Sequence, residues 1–150
     1  MNTTKFLDEH LLPGQIGYFL TILSLVASLV ATYSFAKAFF SKEISLRAQW
    51  EKLAKIAFII ESVAVVSCFV VLFYIIYNHL FEYKYAYMHS DKNLPFEYLL
   101  SCFWEGQEGS FLLWSFWHSV LGLIVMTKAK KWGKNINGVM MVINFVQVCL

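Results

Sequence analysis

Few residues of this chain can do chemistry, and they are unevenly placed. His118 and Glu61 stand inside long apolar runs, where an ionisable side chain is a functional candidate by default. His89 belongs to a polar, turn-forming stretch, HSDKNLP. The segment 103–118, FWEGQEGSFLLWSFWH, then gathers Trp104, Gly106, Gln107, Glu108, Gly109, Ser110 and Trp114 beside His118. Tryptophan faces suit a flat apolar ligand, a helix start suits an anion, and an imidazole suits a proton or a metal. Cys68, Cys102 and Cys149 contain no CxxC pair and fall in separate segments, which argues against a disulfide framework, a thiol-redox centre or a zinc site. No phosphate loop, nucleophile elbow, internal repeat or low-complexity tract is present.

The elements that must position these residues are membrane helices. Hydrophobic residues make up 59% of the 150, above the roughly 45–50% of a soluble domain, and the mean hydropathy is +0.58. Apolar runs cover 11–36, 56–78 with only Glu61 inside it, 109–127 and 136–150. The first three reach the ~17–25 residues that a helix needs to cross a bilayer, and helix is the conformation that satisfies a backbone in lipid. The fold class expected is therefore all-α: a polytopic transmembrane protein with three full spans and a shortened fourth. The run 136–150 has 15 residues and no flanking charge at its end. It is expected to belong to a fragment, to be completed by another polypeptide, or to lie on the membrane surface. The weakly basic N-terminus and long first run do not fit a cleaved signal peptide.

Charge sets the expected orientation. With the N-terminus outside, the inner side receives Lys37, Lys42, Arg47, Lys52, Lys55, Lys128, Lys130, Lys131 and Lys134, and the outer side keeps Lys5, Lys84 and Lys92. This obeys the positive-inside rule and puts a loop of about 81–108 outside, with all its acidic residues. Tyr83, Tyr85, Tyr87, Trp104 and Trp114 then fall near the outer interface, where such rings anchor helices. A net charge of +2 gives no reason to expect a nucleic-acid partner.

Within the loop, PFEYLLSCFW is expected to form a short interfacial helix with Pro95 at its first position. EGQEGS should break it, Gly106 and Gly109 being free to take conformations closed to other residues, and Ser110 or Glu108 should cap the next helix. At 100° per residue that helix turns Glu108, Phe111, Leu112, Ser115, His118, Ser119 and Gly122 to one face and Leu113, Trp117, Val120 and Ile124 to the other. The small face suits close helix packing. Glu61, read as near the inner end of the second span, is expected to snorkel or pair with Lys55.

The stretch YMHSDKNLPFEYLLSCFWEGQEGSFLLW resembles the outer loop and following helix of the CcmF-type cytochrome c haem lyases, within the wider CcmF/CcsA haem-handling family. Tyr87, Ser90, Leu94, Pro95, Tyr98, Trp104, Gly106, Glu108, Gly109, Ser110, Leu112, Leu113 and Trp114 match that pattern in order. The resemblance covers the motif in detail and the whole chain in topology. It implies a multi-pass protein of the cytoplasmic (inner) membrane that holds haem at its outer face for thioether attachment to apocytochrome c, alongside other cytochrome c maturation proteins. Trp104 and Trp114 would pack on the porphyrin, and the Gly106–Ser110 turn would face a propionate. The family's WWD motif and axial histidines have no counterpart here, Gln107 stands where some members carry His, and His89 and His118 are the candidate ligands. The chain alone is not expected to be an active lyase. Two other readings compete: a non-catalytic membrane assembly subunit, and a proton or ion pathway using Glu61 and His118. Against the pathway stands the expectation that the two lie at different depths with no polar group between them.

Overall fold

The computed structural model describes residues 10–91 and 95–150, without the side chains of Phe96, Leu100 and Lys130. Residues 92–94 of the turn-forming stretch HSDKNLP lie outside the described residues, as does Lys5. Among the described residues six α-helices follow one another: α1 (Leu11–Phe40), α2 (Ile44–Tyr77), α3 (Lys84–His89), α4 (Phe96–Glu105), α5 (Gln107–Lys128) and α6 (Asn135–Cys149). No strand occurs among the described residues, and α1, α2 and α5 are long and apolar enough to cross a membrane. The protein is an all-α, multi-pass membrane protein.

The first two spans are longer than their apolar runs. The 34 residues of α2 reach about 51 Å at 1.5 Å per residue, because the basic segment expected as an inner loop is its opening turns. Residues 41–43 alone join it to α1. Glu61 consequently sits mid-helix, not near an end, and is fully buried. Lys55 pairs with Glu51 one turn earlier on α2 instead. The expected Glu61–Lys55 pair is therefore replaced by a local i,i+4 pair.

Small side chains let the helices approach closely. The buried residues of α1 are Ala27, Ser28, Ala31, Ser34, Phe35 and Ala38. At the basic end Ala31, Phe35, Ala54, Ala57, Phe58 and Met140 form one apolar cluster with Ala129 and Ile136. At the loop end Phe103 of α4 stacks on Phe69 and Phe73 of α2, with ring centroids 4.6 and 5.7 Å apart. That stack fastens α4 to the hairpin.

The fourth run is a member of the bundle. α6 packs along α1, with Gly138 against the ring of Phe39. It buries Asn137, Met140, Asn144 and Gln147 and exposes Val139, Val142, Phe145 and Val146. Apolar outside and polar inside is the pattern of a helix solvated by lipid.

At the loop end the first turn of α1 is closed by a distant side chain. The Tyr83 hydroxyl accepts the Gly14 N–H at 2.9 Å and donates to the His10 carbonyl, while Glu82 accepts from the His10 N–H at 3.0 Å. Early helix N–H groups have no partner of their own. A Cβ on Gly14 would lie 2.7 Å from the Tyr83 ring, so glycine is what admits it. Tyr83→Phe is expected to cost about 1 kcal/mol, read as a lower unfolding midpoint in detergent with helix content unchanged.

Candidate functional site

Tyr85 organises the loop end. Its hydroxyl donates to the carbonyls of Cys102 and Phe103 at 2.9 and 3.0 Å, and Ser110 Oγ donates to the Trp104 carbonyl at 3.1 Å. The last carbonyls of α4, orphaned by the helix end, are thus satisfied from α3 and α5. Burial pushes the Tyr85 phenol above its ordinary range, and Glu108, Cys102 and Glu105 add to the rise. Its hydrogen is accordingly kept for these carbonyls.

The glycines of the EGQEGS stretch serve this corner by their size. Gly106 is extended at φ −89° and ψ 158°, and Gly109 is helical, so neither uses a conformation closed to other residues. A Cβ on Gly106 would lie 2.7 Å from the Tyr85 ring and 3.0 Å from His89 Nε2. One on Gly109 would collide with the Phe103 carbonyl and the Tyr85 hydroxyl. Only Gly106 interrupts the helices, and α5 begins at Gln107 with no side-chain cap. The expected cap by Ser110 or Glu108 is absent because Ser110 reaches back to α4, though Glu108 does lie in the first turn.

Between α1, α2, α3, α5 and the end of α6 lies a cavity of about 810 Å³, within the ~300–1,000 Å³ of ligand sites. Its walls are mostly apolar, including Leu25, Val71, Leu72, Phe111 and Leu112. Lys84, Tyr85, His89 and Glu108 stand at the loop end, and Ser115 and Gln147 lie deeper. His89 stacks on Tyr85 at 4.5 Å and its Nδ1 lies 3.0 Å from the Tyr85 carbonyl. A carbonyl only accepts, so Nδ1 carries the hydrogen in this contact.

Of the residues singled out in the sequence, the cavity brings together His89, Glu108 and Gly109. Trp104, Gly106, Gln107, Ser110, Trp114 and His118 do not line it. Trp104 and Trp114 are 49% and 57% exposed and look outward. His118 Nε2 lies 2.7 Å from the Ile143 carbonyl, which commits that nitrogen to α6. Among the described residues no three His, Cys, Asp or Glu side chains converge as metal ligands. The tyrosines divide: Tyr87 is exposed as a belt residue would be, while Tyr83 and Tyr85 are tied inward. On α5 Ser115, Ser119 and Gly122 are buried as the helical spacing requires, together with Gly109, and Trp117 and Ile124 lie outside, whereas Glu108 and Phe111, expected on the inner face, are exposed.

Sequence reasoning missed Tyr85, Lys84 and Gln147. Gln147 had a signal, being a polar residue in an apolar run, but Tyr85 had none among its aromatic neighbours. It also misplaced Glu61, whose Oε1 accepts from Ser119 of α5 at 2.9 Å and whose Oε2 lies 3.2 Å from Ser62 Oγ. Glu61 thus meets α5 beside His118, at the same depth and with a polar group in contact. The two side chains nevertheless turn to different helices.

A solved structure of the cytochrome c haem lyase CcmF superposes on 99% of this chain, with a TM-score of 0.79 and 20% identity. The chain has the fold of a segment of that haem lyase. It spans 24% of the larger protein's length. No family model and no curated protein matches the sequence.

Gly109→Ala should therefore force α4 and α5 apart and cost about 1–3 kcal/mol, the range for overpacking, as a lowered unfolding midpoint in detergent. Cys102 gives a second check. Burial raises its thiol above the ordinary value, with Glu105 adding to the rise. The thiolate is the reactive form, so alkylation of Cys102 in the folded protein should be slower than that of a free thiol at neutral pH and should climb only at more alkaline pH.

Proposed function

We propose that this chain works in cytochrome c biogenesis, as the part of a CcmF-like haem-handling protein that forms one wall of a haem site. The observation carrying this reading is the cavity at the loop end, with mostly apolar walls and with His89 among the residues of its mouth. The fold shared with CcmF supports it. In this reading the protein lies in the cytoplasmic membrane with the loop end facing the periplasm or cell exterior, as the basic residues of the opposite end favour.

The residues present fit haem in three respects: cavity size, an apolar interior, and one imidazole whose other nitrogen is fixed by a backbone carbonyl, as is usual for metal-bound histidine. His89 would hold the iron and Lys84 would face a propionate. The Gly106–Ser110 turn, the earlier candidate for that anion, is filled by Tyr85 and the end of α4. Bound haem supplies vinyl groups for thioether bonds to the reduced cysteines of apocytochrome c. This chain's own residues orient and receive: Tyr85 fixes the His89 ring, and the apolar walls of α1, α2 and α5 would pack on the flat ring. His118 is left to join α5 to α6, and Trp104 and Trp114 to face other helices of the assembly. Apocytochrome c and further maturation proteins are the partners this role requires.

The exposed band of Trp114, Trp117, Leu121 and Ile124 on α5 favours a second reading, a non-catalytic subunit that only joins partner helices. One measurement separates the two. In the complete complex, His89→Ala should weaken haem binding by on the order of 10–100-fold, the scale for disturbing a metal site, and lower the yield of covalent cytochrome c. An unchanged haem absorbance per protein would leave the assembly role standing and the haem role refuted.

A further inference from the structure

We propose that Glu61 is a proton-exchange site that opens toward the loop end through the cavity and is closed toward the basic end. The carboxyl group is fully buried halfway along α2. It makes no ion pair among the described residues. Its contacts are hydroxyls, Ser119 at 2.9 Å and Ser62 at 3.2 Å, and a hydroxyl can donate to a carboxylate or accept from a carboxylic acid. Such surroundings serve both protonation states, whereas a lysine or arginine would hold the group in one.

Ser119 adds a moving part. Its one hydroxyl hydrogen has two acceptors, Glu61 Oε1 at 2.9 Å and the Ser115 carbonyl at 3.0 Å. With Glu61 ionised, the hydrogen turns to the carboxylate. With Glu61 protonated, the acid donates to the serine oxygen and the serine hydrogen turns to the carbonyl. A proton delivered from the cavity by way of Ser115, one turn nearer on α5, passes to the Ser119 oxygen as the serine's own hydrogen passes to Glu61, so the hydroxyl is restored at each transfer.

Access is one-sided. Ser115, one turn from Ser119, lines the cavity, as does Val65, one turn beyond Glu61 on α2. Gln147 sits there too, 8% exposed and with its Oε1 lacking a partner among the described residues, a polar atom available to a water. Toward the basic end Ala57, Phe58, Ala31, Phe35 and Met140 close the bundle, and a Cβ on Gly122 would lie 2.5 Å from the Phe58 ring. Asn137 and Ser34, also with unpartnered atoms, lie on the basic side of Met140 and Ala31. Ser62 borders a small lipid-facing groove with Ile59, Val63 and Leu123, which offers no water.

The titratable groups facing this region are few. α5 contributes His118, held by the Ile143 carbonyl. α1 contributes Tyr18, α2 contributes Cys68, α6 contributes Cys149, and the cavity mouth carries Lys84, Tyr85, His89 and Glu108. On α1 the nearest charged side chain toward the basic end is Lys37, past the apolar cluster.

The test is independent of haem. The full chain is placed in sealed vesicles in one orientation, and the carboxylic C=O infrared band is followed after a pH step on one side. A rise in pH on the loop side should remove a band that is absent from Glu61→Gln and slower to respond in Ser119→Ala. A band insensitive to the loop side, one that follows the basic side as well, or one unaltered in either variant overturns the proposal. Should the variants fail to fold, a hydrophobic carbodiimide applied to the unaltered protein should modify Glu61, with a yield that falls as loop-side pH rises. A yield independent of that pH, or no adduct on Glu61, refutes it.

Discussion

Inside a bilayer a polar side chain is costly to leave facing lipid, and most of this fold follows from that constraint. Glu61, Ser62, Ser119, Asn137, Asn144 and Gln147 all turn inward, and the faces left for lipid are Trp117, Leu121 and Ile124 on α5 and Val142, Phe145 and Val146 on α6. The polar residues choose which face of each helix is inside. Small residues then decide how near the backbones come, as where Gly122 admits the Phe58 ring and Gly138 admits that of Phe39.

The loop end obeys a second version of the same rule. Helix ends carry unpaired backbone groups, and here side chains from other helices meet them: Tyr83 at the start of α1, Tyr85 and Ser110 at the end of α4. Because Tyr85 also stacks on His89, the corner that satisfies α4 sets one wall of the cavity. Structure and candidate site are here the same set of contacts, and the Glu-Gly-Ser sequence is explained first by that corner. Glu108 alone of the three carries its side chain to the cavity.

Legibility varied by residue for physical reasons. The spans, the short helix after Pro95 and the small face of α5 were readable, since length and 3.6-residue periodicity are local properties. The extent of α2 was not, because charged residues at a membrane boundary look alike in a loop and in a helix whose side chains reach water. Glycine at 106 and 109 was noticed but misread, as a need for space and a need for unusual torsion angles leave the same letter in the sequence. The tryptophans drew attention as ring surfaces, yet Trp104 and Trp114 lie on the outside while Tyr85, expected as one more interface ring, is tied inward.

By itself, the sequence determined the helical class, the number of long spans, much of the side of α5 that avoids lipid and the charge difference between the two ends. These follow from hydrophobicity and periodicity, which each segment carries without reference to the others. Tertiary structure alone decided that Glu61 meets Ser119, that His89 and Glu108 share a cavity while His118 turns to α6, and that Tyr83 and Tyr85 complete helices distant in the chain. Each of these depends on the relative rotation and depth of two helices, and many weak side-chain contacts together set those quantities.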